Sequence, residues 1–275
     1  MINTLKNIYN NSLIYVDENN VSKKDIEYLL KETFSLTTTD FILKQNECFD
    51  DEIFLKRFEQ LKEGKPVEYV LGYSYFCNLK FEVTQDTLIP RSETEDLVLL
   101  IKEMIDEKQM KDLNILDIGS GSGCIPITLN KFYSNAHIES VDISKKALKI
   151  SQNNNVLNKT KVDFYHSDCF ENVKSKFDII VSNPPYIDRE TYVQESVIKY
   201  EPHLALFADN HGLAIYEKIL KEVNNFTNEG AIIAFEISPD LEEGLIKLIE
   251  KYLNKVEYSF KKDINGFLRY LFIFM

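Results

Sequence analysis

An apolar run in the middle of the chain ends in an amide, two prolines and an aromatic ring. The segment reads FDIIVSNPPYIDRE, with Asn183, Pro184, Pro185 and Tyr186 directly after the apolar residues. An Asn-Pro pair is an ordinary way to stop a strand and turn the chain. Two successive prolines do more: they fix two φ angles and remove two N–H donors, leaving carbonyl oxygens aimed in set directions. That is a way to build a rigid acceptor site. A second stretch able to do chemistry is LDIGSGSGCIPI, where Asp117 precedes Gly119, Ser120, Gly121, Ser122 and Gly123. Glycines at this density let the backbone bend sharply and let a ligand approach the main chain. Two acids stand at the ends of the next apolar runs, Asp142 in SVDIS and Asp168 in YHSDCF, the latter beside Cys169 and Phe170.

The glycine spacing discriminates among ligands. A dinucleotide fingerprint needs G-x-G-x-x-G, but counting from Gly119 brings Cys124 to the third glycine position, and counting from Gly121 brings Pro126. A P-loop needs G-K-[ST], and here Gly123 runs on into Cys124 and Ile125. The pattern D-x-G-x-G-x-G instead resembles the first motif of the S-adenosylmethionine-dependent methyltransferases. By that resemblance Gly119 to Gly123 wrap the methionine part of the cofactor, and Asp117 positions the loop or the amino group. Asp142, about 20 residues past the loop, can accept two ribose hydroxyls and would repel a 2′-phosphate; its other reading is a helix N-cap before SKKALKI. Asp168 can accept the adenine amino group, with Cys169 and Phe170 near the ring.

Methyl transfer from a sulfonium to nitrogen is an in-line displacement, so the main task is to hold the nitrogen lone pair against the methyl group. Positioning of this kind lowers barriers by roughly 7–11 kcal/mol. A planar NH₂ group is a poor nucleophile because its lone pair is delocalised. The Asn183 side-chain oxygen and the Pro184 carbonyl can accept its two N–H bonds and favour the pyramidal, charge-developing form. Tyr186 would stack on the flat group and keep water out, or pack the turn as an ordinary aromatic. The expected catalytic and substrate-binding residues are therefore Asn183, Pro184, Pro185 and Tyr186, with Asn183 also touching the cofactor. No metal is expected, since no histidine or cysteine array has ligand spacing.

Elements that can position these residues are legible in the periodicity. From residue 1 to 74 it is helical: SKKDIEYLLKETF opens with a capping-box pair, Ser22 and Asp25, and DDEIFLKRFEQLKEGKP places Ile53, Phe54, Phe58 and Leu61 on one stripe. After Gly72 the period falls to two, and residues 75–90 read as a β-hairpin linking two domains. A helix then starts in LIPRSETEDLVLLIKEMI, with Ser92 as N-cap and Glu95 at the capping-box position. Over 91–275, strand-like segments alternate with helices: LNILDIG, AHIESVDI, KVDFYHSD, FDIIVSNPP, GAIIAFEIS, KVEYSF and GFLRYLFIF. Such alternation predicts an α/β fold, a doubly wound, mostly parallel seven-stranded Rossmann-like sheet with its last pair antiparallel.

Composition narrows the function classes. With 32 Lys and Arg against 44 Asp and Glu the net charge is −12, the reverse of the basic footprint of a protein that lives on nucleic-acid phosphates. No run of 18 apolar residues occurs and MINTLKNIYN lacks the features of a signal peptide, so a cytoplasmic protein without membrane contact is expected. The four cysteines are far apart and read as free thiols.

Larger stretches then specify the substrate. GKPVEYVLGYSYFCNLKFEVTQDTLIPRSETEDLV, VSNPPYI, YEPHLALFADNHGLAIYEKIL and KDINGFLRY resemble the release-factor glutamine methyltransferases, the PrmC/HemK type. The resemblance implies S-adenosyl-L-methionine as methyl donor, S-adenosyl-L-homocysteine as product, and the glutamine of the Gly-Gly-Gln loop of class 1 peptide chain release factors as acceptor. It also implies that residues 1–74 help dock the factor and that 91–275 are catalytic; a monomer is the default expectation. Arg91, Glu93 and Glu95 match the family as well, as helix capping and an ion pair or as ligand contacts. The competing readings are a nucleic-acid exocyclic-amine methyltransferase, which the acidic balance disfavours, and a non-catalytic binder, which would be expected to show a damaged motif.

Overall fold

The computed structural model describes residues 2–16 and 21–275, so residues 1 and 17–20 of the 1–74 segment lie outside the described residues. The chain divides into two compact units, Met1–Tyr73 with Val193–Tyr200, and Ser74–Tyr192 with Glu201–Met275.

In the first unit the capping box at Ser22 forms. The Ser22 hydroxyl accepts from the Asp25 N–H at 3.1 Å, and the Asp25 carboxylate accepts from the Ser22 N–H at 3.1 Å. The helix it starts, Lys23–Phe34, buries Ile26, Leu29 and Leu30 against Phe54, Phe58 and Leu61 of the helix Glu52–Lys62. Ile53 departs from the expected stripe: it is 61% exposed, because one residue along a helix turns the side chain by about 100° from the Phe54 face. The unit also carries a short antiparallel ladder, Ile2–Thr4 with Cys48–Asp50, whose three-residue strands are too short to show a period.

The second unit is built on a sheet of seven strands: β1 (Asn114–Ile118), β2 (His137–Asp142), β3 (Val162–His166), β4 (Phe177–Ser182), β5 (Thr227–Glu236), β6 (Glu257–Lys262) and β7 (Leu268–Phe274). Their order is β6-β7-β5-β4-β1-β2-β3. All neighbours from β5 to β3 are parallel, and β7 runs antiparallel to both β5 and β6, as the periodicity predicts. Helices α1 (Ser92–Glu107) and α2 (Cys124–Phe132) cover one face, with α3 (Lys145–Leu157) beside them. Helices α4 (Ala214–Glu222) and α5 (Glu242–Tyr252) cover the other.

The strand sequences account for this layering. Successive residues point to opposite faces, so Ile115, Ile179 and Ile232 pack with Leu97, Val98 and Ile101 of α1, while Leu116, Ile180 and Ile233 pack with Ile219, Leu220, Leu245 and Ile249 of α4 and α5. Each such buried side chain stabilises the fold by about 1.5–3 kcal/mol relative to exposure. Strands buried on both faces read as unbroken apolar runs, which is why IIV in β4 and AIIAF in β5 show no alternation.

Two local expectations need correction. Ser92 is not the N-cap of α1 but its first helical residue; Arg91 holds the cap position and no side-chain cap bond forms. Glu95 is diverted, its Oε1 accepting the Cys77 N–H at 2.6 Å and tying α1 to a hairpin turn. That hairpin, Tyr73–Phe76 with Leu79–Glu82, is shorter than residues 75–90. Its two-residue turn places Cys77 and Asn78 at φ of 46° and 61°, the left-handed pair a tight hairpin requires.

Candidate active site

The glycine loop follows β1 and is held by the neighbouring strand. The N–H groups of Gly119 and Ser120 donate to the Val141 carbonyl at 2.8 and 3.0 Å, and that of Gly121 donates to Asp142 Oδ2 at 2.9 Å. Gly123, at φ 82°, caps α2; a Cβ there would lie 3.0 Å from Ile127 Cδ1 and 3.1 Å from Ser151 Cβ. Gly119 and Gly121 are different, since nothing lies within 4 Å of a Cβ built on either. Open ground against bare main chain is what a closely held ligand needs.

The acids around the loop have distinct environments. Asp142 accepts from Gly121 with one oxygen and from the Ser144 N–H with the other, at 2.7 Å. The N-cap of α3 is Ser144, whose hydroxyl accepts from the Ala147 N–H at 3.2 Å, so Asp142 braces the loop and does not cap the helix. Burial raises its pKa against the pull of those two N–H groups. Asp117 is fully buried behind the loop. Its Oδ2 accepts from Ser140 Oγ at 2.6 Å, and its Oδ1 has no partner among the described residues. Burial pushes Asp117 up to about 7, opposed by the Ser140 hydrogen bond and reinforced by the charge of Asp142.

Asn154, in α3, was not singled out by the sequence and is the clamp of this region. Its amide donates to the Ser122 carbonyl at 2.8 Å and the Glu82 carbonyl at 2.9 Å, while its oxygen accepts from the Glu82 N–H at 2.6 Å. In a run of three asparagines it looks like solvent-facing polarity; burial is what distinguishes it.

The second motif lies at the end of β4, joined to the first through Ser182, whose hydroxyl donates to the Ile118 carbonyl at 2.6 Å. Asn183 Nδ2 donates to Thr94 Oγ1 at 3.1 Å, and Thr94 Oγ1 donates to Glu236 Oε2 at 2.6 Å. Thr94 and Glu236 are 3% and 2% exposed. Glu236 is pushed up to about 7 by burial, opposed by Thr94 and raised by Glu93, with Arg269 and Asn183 also lowering it. Neither Thr94 nor Glu236 was identified from sequence. The available signal was an acid in a strand apolar on both faces, which has to be buried.

Past the prolines, Ile187 pairs with the segment after Glu201: its N–H donates to the Leu206 carbonyl and its own carbonyl accepts from the Ala208 N–H, both at 3.0 Å. A Cβ on Gly212 would sit 2.2 Å from the Tyr186 carbonyl oxygen, so only glycine, here at φ 85°, lets the chain pass so close. Arg91 pairs with the buried Glu201 and also lines the cleft, so the ion pair is present and the side chain stands within reach of a ligand.

One cleft at the carboxyl ends of the parallel strands gathers most of the expected residues. Gly119, Ser120, Gly121, Ser122, Asp142, Asp168, Cys169, Asn183, Pro184 and Pro185 all line it. Asp117, Gly123 and Tyr186 do not. Asp117 and Gly123 support the loop from behind, and the half-buried Tyr186 ring packs on one side against the core that includes Tyr216 and Leu241. Asp168 is paired with Lys218 Nζ at 2.5 Å. Cys169 is buried at φ 52°, its thiol pushed up to about 12 by burial and hence neutral. The cleft sits where β1 has neighbours leading in opposite directions, the switch point at which open α/β sheets bind ligands.

These residues fit S-adenosylmethionine. Bare glycine backbone, two acids at successive strand ends and apolar walls from Leu88, Ile89, Ile143 and Ala147 suit a nucleoside with an amino-acid tail. A family model described as "Methyltransferase small domain" matches residues 97–202. Among solved structures, a methyltransferase from Pyrococcus furiosus has a TM-score of 0.53 at 16% identity, over 81% of this chain and 95% of that one. Strand order, antiparallel β7 and the glycine loop together define a class I S-adenosylmethionine-dependent methyltransferase.

Whole-chain similarity is more specific. The chain is 42% identical over 259 residues to a release factor glutamine methyltransferase of Flavobacterium psychrophilum, covering 89% of this chain and 90% of that one. It is 38% identical over 248 residues to one of Lactococcus lactis, covering 88% and 90%. The chain belongs to the release factor glutamine methyltransferase family.

Proposed function

We propose that this chain methylates the side-chain amide nitrogen of the glutamine in the Gly-Gly-Gln loop of class 1 peptide chain release factors, using S-adenosyl-L-methionine. The observation that carries this reading is Asn183 in the cleft wall with its NH₂ committed to Thr94, beside two prolines that have no N–H to offer. The oxygen of Asn183 and the carbonyl of Pro184 are the acceptors left for a planar NH₂.

When bound, S-adenosylmethionine supplies a methyl group on a positively charged sulfur, which keeps the bonding electron pair and departs as the neutral thioether of S-adenosyl-L-homocysteine. Gly119 to Ser122 hold its amino-acid end, Asp142 its ribose and Asp168 with Cys169 its base. Asn183 and Pro184 accept the two N–H bonds of the glutamine and turn its lone pair toward the methyl group. Hydrogen bonding of this kind strengthens as the nitrogen becomes positive, so it favours the transition state over the ground state. The proton leaves after transfer, from a cationic nitrogen, and needs no strong base at the outset. Pro185 narrows the site, and Tyr186 fixes the turn that presents Asn183 and Pro184.

In this reading residues 1–74 dock the factor, 75–90 connect, and 91–275 catalyse. The protein works as a cytoplasmic monomer with no direct nucleic-acid substrate and no membrane contact. Among the described residues no helix is long and apolar enough to cross a membrane. The test supplies labelled S-adenosylmethionine with a class 1 factor, the same factor with its loop glutamine changed to asparagine, and a DNA duplex. Label is expected on the unaltered factor alone; label on the duplex and none on the factor would overturn the reading.

A further inference from the structure

An asparagine amide can sit in its site in two orientations related by a half turn, one presenting oxygen and the other NH₂. At position 183 the difference decides function, because an NH₂ facing the substrate NH₂ sets donor against donor. The surroundings remove the ambiguity. A threonine hydroxyl has a single hydrogen; once Thr94 gives it to the Glu236 carboxylate at 2.6 Å, its oxygen can only accept, and only the NH₂ end of Asn183 can face it. The three side chains come from the end of β4, the first turn of α1 and the end of β5; Thr94 and Glu236 are buried, and Asn183 is half-buried in the cleft wall.

We propose that Glu236, acting through the Thr94 hydroxyl and through its own hydrogen bond with the Asn183 amide, is a positioning residue that holds that amide with its oxygen toward the substrate nitrogen. The proposal rests on the reading that Asn183 receives the N–H bonds of a planar NH₂. Glu236 touches neither substrate nor cofactor. Its part is to be an acceptor with no hydrogen of its own to give.

A proton on Glu236 reverses the chain. With that proton on Oε2, the oxygen facing Thr94, the carboxylic acid donates to Thr94, the Thr94 hydrogen turns to Asn183, and the amide presents its oxygen inward and its NH₂ to the cleft. Glu236 is suited to such a change near neutrality, since burial has pushed it up to about 7. The groups facing it are Glu93 and Arg269, the Cys124 thiol, and the phenols of Tyr186, Tyr216 and Tyr270. Burial raises all three phenols and the thiol, so they stay neutral through this range. Asp117, also pushed up to about 7, lies behind the glycine loop, and the variants below separate it from Glu236.

The experiment follows the Asn183 side-chain amide by nitrogen-15 NMR in the full chain without cofactor or factor, from about pH 5.5 to 8.5, the window around a carboxyl raised toward neutrality. Loss of the signal in Asn183→Ala assigns it. Wild type and Thr94→Ser, which keeps the hydroxyl, are expected to show a titration with a midpoint near 7; Glu236→Gln is expected to show none, and Thr94→Val a smaller one. Alongside, kcat of Glu236→Gln falls about tenfold to a hundredfold with cofactor affinity within about twofold, and its dependence on pH below neutrality disappears. Thr94→Val repeats the test if Glu236→Gln fails to fold. A flat amide signal in wild type, or an unchanged titration in Glu236→Gln, overturns the proposal. The amide readout needs no methyl donor and no release factor, so failure to methylate the factor would sink the functional reading while leaving this one standing.

Discussion

The two halves of the cleft are built on different principles. On the cofactor side the wall is main chain: glycines with positive φ, held by N–H bonds to Val141 and Asp142, with Asn154 clamping the loop from behind. On the acceptor side it is a chain of side chains, Asn183, Thr94 and Glu236, in which direction matters more than strength. A backbone cradle tolerates changes of charge around it, because its geometry comes from φ angles. A hydrogen-bonded relay depends on every hydrogen being in its place. The comparison predicts that substitutions on the acceptor side act on turnover and its pH dependence, and those on the cofactor side on binding and stability.

The largest effect is expected from Asn183→Ala. Loss of an oriented group that meets developing charge costs about 10²–10³ in kcat, with a much smaller fall in cofactor affinity, measured by calorimetry, from the lost edge contact of Asn183 with the cofactor; an equal loss in cofactor affinity would erase the distinction between the halves. Next comes a stability effect with a definite sign. Glu236 is raised from 4.5 in the unfolded chain to about 7 in the fold. Its contribution is therefore fully present below about pH 4.5 and lost as pH rises through about 7, by roughly 3 kcal/mol. Glu236→Gln should flatten that decline, seen as a gain in melting temperature over wild type that grows between about pH 5 and 8.

On the cofactor side, Asn154→Ala leaves the Ser122 and Glu82 carbonyls without their donor and the Glu82 N–H without its acceptor. A loss of about 1–3 kcal/mol in denaturant unfolding is expected, together with weaker cofactor binding and little change in kcat at saturating cofactor. The smallest effect belongs to Lys218→Ala. Its pair with Asp168 is more than a third exposed on both sides, so stability should change by less than about 1 kcal/mol. Cofactor affinity, measured in the same variant, reports whether freeing Asp168 improves its reach to the base.

How much of this was legible in the sequence follows the same division. The glycine loop is local: spacing alone separated it from dinucleotide and P-loop patterns, and the sheet followed from apolar runs alternating with helices. Asn183 to Pro185 were readable because prolines declare their own geometry. The relay was not, since Thr94 lies 89 residues from Asn183 and 142 from Glu236 and nothing local links them. Ser92 and Glu95 form a capping pattern that the structure does not use, because Glu95 finds a better partner in the Cys77 N–H. The Tyr186 ring shows what packing adds to chemical reasoning: the sequence offered stacking on a flat substrate or packing in the turn, and the structure shows the contact with the core beside α4.

The most direct test of the account locates the methyl group. Purified chain, S-adenosylmethionine and a class 1 release factor are incubated, the factor is digested, and the Gly-Gly-Gln peptide is fragmented in a mass spectrometer. The account predicts one added methyl on the side-chain nitrogen of that glutamine with wild-type protein, and almost none with Asn183→Ala under the same conditions. A methyl group on any other residue, or full modification by Asn183→Ala, would contradict it.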